Sequence, residues 1–164
     1  MHRETDEFCR RRARELLQEL GLAEPPVRVE EVARDCGLEV RYVRKGRGFS
    51  GQLLREQRVI EVERDTHPHR QRFTIAHEIG HFVLNHSPAF CVFDDVGTYD
   101  PAKANERQAQ IFASELLMPE PWIRKYWTML DKDYKALART FFVSDEAMFR
   151  RLEAAGLLGL DPML

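Results

Sequence analysis

The feature that most limits this chain is the run Phe73-Thr74-Ile75-Ala76-His77-Glu78-Ile79-Gly80-His81-Phe82-Val83-Leu84. Its apolar residues fall on every side of a helix, so the run predicts a largely buried helix from Thr66-His67-Pro68 to about Asn85. A buried helix does not readily hold two imidazoles and a carboxylate without a function for them. His77 and His81 lie on one face, one turn apart, where they can bind a single metal ion. Glu78 falls about 100° around from His77. That puts it beside such an ion, where a carboxylate can take a proton from water at the metal.

Zinc prefers nitrogen, sulfur and carboxylate donors in tetrahedral geometry, and a catalytic zinc keeps one position for water. Two histidines therefore need a third protein ligand, best supplied by a helix packed against the first. A helix predicted over 102–117 offers Glu106 and Glu115. In projection Ala102, Ala109, Ala113, Leu116 and Leu117 gather on one side, with Glu106 near that stripe. Glu115 falls about 180° from Glu106 and is expected to face water. The small residues Gly80, Ala109 and Ala113 would let the two helices approach closely. Glu106 is thus the expected third ligand.

The remaining pattern predicts an α+β fold: a mostly helical body with a small antiparallel three-stranded sheet next to the zinc-binding helix. Phe8, Cys9, Ala13, Leu16, Leu17 and Leu20 mark a helix over 6–20, stopped at Gly21. A short helix from Val29 to Cys36 follows Pro25-Pro26. Alternation at Leu38, Val40 and Tyr42, then Ser50 to Arg55 and Val59 to Val62, gives three strands. Residues 87–101 read as a loop, and 122–130, 134–142 and 144–155 as helices.

Net charge is −2, so no global positive field favours nucleic acid or an anionic membrane. The three cysteines, Cys9, Cys36 and Cys91, form no Cys-x-x-Cys pair, and their odd number fits reduced thiols. The polar N-terminus has no apolar signal region, and no stretch approaches the ~20 apolar residues of a membrane helix. A cytoplasmic protein is expected.

The segments Arg72-Phe73-Thr74-Ile75-Ala76-His77-Glu78-Ile79-Gly80-His81 and Glu106-Arg107-Gln108-Ala109-Gln110-Ile111-Phe112-Ala113-Ser114-Glu115-Leu116-Leu117-Met118-Pro119 resemble the ImmA/IrrE family of bacterial and phage metallopeptidases. Members show a similar zinc-motif helix, then a helix patterned E-x-x-A-N-x-F-A-x-x-L-L-M-P whose first glutamate is the third ligand. Gln110 stands where the family commonly has Asn. The resemblance implies a gluzincin-like site, with one zinc ion (manganese a possible substitute) held by His77, His81 and Glu106 and with Glu78 as general base. It also implies a substrate: a helix-turn-helix transcriptional repressor, cleaved to relieve repression in a phage, mobile-element or stress-response switch. Residues 1–120 would form the metallopeptidase domain and 121–164 a helical extension packed on the same domain.

Two rivals stand beside this reading: a metal-stabilised antirepressor that binds without proteolysis, and a DNA-binding regulator acting through residues 137–155. The second draws on the helix-turn-helix-like stretch Leu137–Leu152. Asp145 and Glu146, however, put negative charge at the helix end that normally meets DNA. Among weaker features, His86 falls on the opposite face from His77 and reads as a helix-end histidine. His67 and His69 are expected to face solvent. Tyr99 is a loop aromatic that could donate to an oxyanion, and Asp94, Asp95 or Asp100 could accept from a ligand imidazole.

Overall fold

The computed structural model describes residues 2–85 and 101–159. Two helices come first, α1 (His2–Glu19) and α2 (Val29–Asp35), then strands β1 (Glu39–Val43), β2 (Gly51–Leu54) and β3 (Val59–Glu63). Five helices follow: α3 (Pro68–Leu84), α4 (Pro101–Leu117), α5 (Glu120–Met129), α6 (Tyr134–Phe141) and α7 (Asp145–Ala154). The fold is α+β with a helical body, as the hydrophobic pattern indicates.

Local chemistry accounts for the element ends. Pro68 occupies the first turn of α3, where its missing N–H costs nothing. His67 caps the same end, its Nδ1 accepting from the His69 N–H at 3.0 Å. The helix stops at Asn85, which takes a left-handed conformation (φ 43°) that asparagine tolerates. At α7, Ser144 Oγ accepts from the Ala147 N–H at 3.1 Å.

The sheet departs from the expected all-antiparallel arrangement. Its order is β1-β3-β2, with β2 antiparallel to β3 but β1 parallel to it. A tight turn joins β2 to β3, and β1 takes the far edge of β3 rather than the outer edge of β2. The chain must then step across the end of β3 between β1 and β2. Residues 44–50 make that step, held by the Glu63 carboxylate, which accepts from the Lys45 and Gly46 N–H groups at 2.8 and 2.9 Å. Side-chain alternation reports which face is buried, not strand direction, and so does not distinguish the two topologies.

Helix α3 lies between the sheet and α4, and α1 covers the other side of α4. One core cluster joins Ile60 and Val62 of β3, Ile75 and Ile79 of α3, Phe112 and Leu116 of α4, and Leu137, Met148 and Leu152 of the C-terminal helices. This packing overturns the expected exposure of Glu115, which is only 1% exposed. The face opposite Glu106 meets α1 and α7 rather than water. The Glu115 carboxylate pairs with Arg151 of α7 and with Arg14 of α1 (2.9 Å), and accepts from the Glu120 N–H at 3.0 Å.

Arg72 is buried in a similar way, but its partners are carbonyls. It donates to Val27 O at 2.7 Å, Phe142 O at 3.1 Å and Phe141 O at 3.3 Å. Among the described residues no helix is long and apolar enough to cross a membrane.

Candidate metal centre

Two helices bring the expected ligands together. Glycine at position 80 sets their spacing: a Cβ there would lie 3.0 Å from the Phe112 ring and 3.3 Å from the Ala109 Cα. At this separation Glu106 on α4 reaches both histidines of α3. Its Oε2 is 3.0 Å from His77 Nε2 and its Oε1 is 2.9 Å from His81 Nε2. The two Nε2 atoms are 3.1 Å apart.

Three donor groups of the right chemistry, two imidazoles and a carboxylate that turns one oxygen to each, thus form a small triangle. Tetrahedral zinc, with bonds near 2.0–2.2 Å, needs its ligand atoms about 3.3–3.5 Å apart. Opening the triangle by a few tenths of an ångström satisfies that, so the residues present fit a zinc ion. His77, Glu78 and His81 also offer ligand atoms within 4.8 Å of one another. Glu106 rather than Glu78 completes the triangle, because both of its oxygens lie against the imidazoles. Its side chain is 65% exposed, so one side of the triangle opens toward solvent.

Glu78 projects to the sheet side of the same helix and is buried. Burial pushes its carboxyl up to about 7, the Glu106 charge adds to the rise, and the Leu53 backbone N–H opposes it. A carboxyl held near neutrality can both accept and return a proton.

The residues Gly51, Gln52, Leu53, Arg55, Glu78, His81 and Glu106 line one cleft of about 330 Å³. Strand β2 forms one wall and α3 the other. Two larger cavities, about 420 and 480 Å³, run along the seam of α3 and α4 with α7. They share Phe73, Met118, Ser144 and Ala147 and contain none of the candidate ligands. Of these three cavities among the described residues, the polar cleft is the one that adjoins the candidate ligands.

The contribution of β2 is absent from the sequence reading. So is that of Arg55, whose guanidinium donates to His81 O at 2.5 Å and Phe82 O at 3.5 Å. Arg55 belongs to no recognisable motif, and Ser50-Gly51, although familiar from the family, does not by itself indicate a cleft wall. Glu115 belongs to the buried ion pair, not to the metal centre. His77 Nδ1 is buried with no hydrogen-bond partner among the described residues. The acceptors suggested for it, Asp94, Asp95 and Asp100, lie outside those residues, as do His86, Cys91 and Tyr99. His67 is exposed, while His69 packs edge-on against Phe142 with ring centroids 5.1 Å apart.

A helix-borne pair of histidines, joined by a glutamate from an antiparallel helix and walled by a strand, defines a candidate mononuclear metal centre of peptidase type. The Peptidase M78 family model, described as the IrrE N-terminal-like domain, matches residues 37–153. The chain belongs to that family. A comparison with curated protein sequences finds no match. Among solved structures the chain is similar in fold to a Mycobacterium tuberculosis transcriptional regulator, with TM-score 0.66 and 19% identity. That alignment covers 99% of this chain and 49% of the other, so the chain spans about half of that protein's length.

Proposed function

We propose that this protein is a zinc-dependent endopeptidase that cleaves a helix-turn-helix transcriptional repressor in the cytoplasm and so relieves repression. One observation carries the catalytic part: Glu106 meets His77 and His81 within 3.0 Å while Glu78 stands buried beside them. Family membership supports peptidase chemistry. The regulatory part rests on the family resemblance and agrees with the fold shared with a protein described as a transcriptional regulator. Residues 1–120 would hold the catalytic machinery, with 121–164 packed on it.

In this reading His77, His81 and Glu106 hold one zinc ion, with manganese as a possible substitute. Bound there, zinc supplies Lewis-acid chemistry, lowering the pKa of water toward about 7 and polarising a peptide carbonyl. Glu78 takes the proton from the attacking water and passes it to the departing amine. The burial that raises its pKa suits it to both transfers. Helices α3 and α4 keep the imidazoles and the Glu106 carboxylate oriented throughout.

The test is incubation of zinc- or manganese-loaded protein with a helix-turn-helix repressor from a neighbouring gene as candidate substrate, with fragments identified by mass spectrometry. Wild type should cleave and Glu78→Gln, nearly isosteric, should not; loss of general acid–base assistance costs roughly 10²–10⁴-fold. Equal cleavage by both would remove Glu78 from its role. Binding and inactivation without cleavage by either would favour the antirepressor reading.

A further inference from the structure

The two histidines of the candidate centre do not sit equally deep in α3. His77 lies within the helix, whereas His81 opens its last turn, which ends at Leu84. The final four carbonyls of an α-helix have no partner inside it, and helix ends are where local opening begins. An ion held between His77 and His81 therefore needs that turn fixed from outside.

Arg55 fixes it. This residue directly follows β2 and starts the turn to β3, where its carbonyl accepts from the Arg58 N–H at 3.1 Å. Leu54 and Val59 pair at the base of that turn, and Val59 is buried, so the side chain extends from a rigid mount. Its guanidinium reaches the end of α3. One nitrogen donates to His81 O at 2.5 Å. The other donates to Phe82 O at 3.5 Å and to Asn85 Oδ1 at 3.3 Å. The same group lies 5.5 Å from the centroid of the Phe82 ring. A planar fork can serve two carbonyls and the helix-ending residue together, which a single ammonium cannot. Arg58 offers an internal comparison. Its guanidinium is 5.8 Å from the Phe82 ring, but the bonds to the carbonyls of His81 and Phe82 are those of Arg55.

Resting on the metallopeptidase reading, we infer that Arg55 is a positioning residue of the metal centre: by clamping the His81 carbonyl it holds the second imidazole in reach of the ion shared with His77 and Glu106. The sign of its effect separates this role from simple charge. A cation beside a divalent ion repels it. An Arg55 that acted only through its charge would weaken metal binding, and its removal would tighten it. A clamp predicts the reverse.

The full-length protein and its Arg55→Met, Arg55→Lys and Arg58→Met variants are compared by zinc competition against a chelator. Amide exchange at residues 82–85 is followed in the zinc-free forms, and visible spectra are recorded for the cobalt-loaded forms. Arg55→Met should fold but bind zinc about tenfold more weakly, the scale of one charge-assisted hydrogen bond. Its amides at 82–85 should exchange faster, and its cobalt spectrum should depart from that of wild type. Arg55→Lys should recover only part of the affinity. Arg58→Met should bind zinc at least as tightly as wild type. Zinc binding by Arg55→Met at wild-type strength or tighter, equal losses in Arg55→Met and Arg58→Met, or full recovery by Arg55→Lys overturns the clamp and leaves the metal centre standing. If Arg55→Met does not fold, wild-type affinity in Arg55→Lys is enough to overturn it. If wild type itself binds no zinc, the metal reading falls and this inference falls with it.

Discussion

The Cβ that Gly80 lacks would lie 3.3 Å from the Cα of Ala109, closer than most real side chains approach a backbone. The ligand triangle depends on that contact, because His77, His81 and Glu106 sit within a turn of it on either helix. Gly80→Val should therefore force α3 and α4 apart. Overpacking of this kind costs about 1–3 kcal/mol. Zinc affinity, measured by competition with a chelator, should fall by more than a comparable loss of stability elsewhere would cause. Unchanged affinity would show that the triangle does not depend on helix spacing.

Metal content separates the two glutamates of α4. Purified wild type should carry about one zinc per chain. His77→Ala, His81→Ala and Glu106→Ala should lose it, whereas Glu115→Ala should keep it. Full retention by the two histidine variants would sink the site, and loss by Glu115→Ala from a folded protein would mean that the wrong ligand had been chosen.

Stability should reverse that order. Glu115→Ala strands the Arg151 guanidinium in the core, which typically costs about 3–5 kcal/mol. For a chain of this size that lowers Tm by roughly 6–20 °C. Replacing both partners, as Glu115→Leu with Arg151→Met, should recover most of the loss. Calorimetry of the single and double variants tests this, and a double variant no better than the single would contradict it.

Nonspecific duplex DNA should give no mobility shift at physiological salt. Asp145 and Glu146 are exposed at the start of α7, and phosphate repels that end of the helix. A shift abolished by substitutions in residues 145–153 would reinstate the DNA-binding reading.

The candidate metal centre was legible as a cluster because its information is local: His77, Glu78 and His81 fall within one turn, and a single projection sets Glu106 on the face that packs toward them. Strand β1 illustrates the opposite case. Val40 and Tyr42 mark a strand, but its parallel pairing depends on how residues 44–50 cross Glu63, a long-range matter. Glu115 misled for a related reason: projection locates a face but does not tell what covers it, and the cover comes from Arg14 and Arg151, 101 and 36 residues away. The cleft wall was invisible because Gly51 and Leu53 contribute backbone, which every residue has.

Arg72 and Glu115 give the C-terminal helices a second significance. From inside the first motif segment, Arg72 holds the carbonyls of Phe141 and Phe142; from inside the second, Glu115 holds Arg151. Each motif helix therefore buries a charge that shares its partners between the chain before it and the helices after residue 120. A gene truncated at that point would still encode every candidate metal ligand, yet its product would have one cation short of acceptors and one anion short of its main counter-charge. Nonsense alleles between codons 121 and 141 should consequently behave as complete losses of the metal centre, with no separable defect in partner choice.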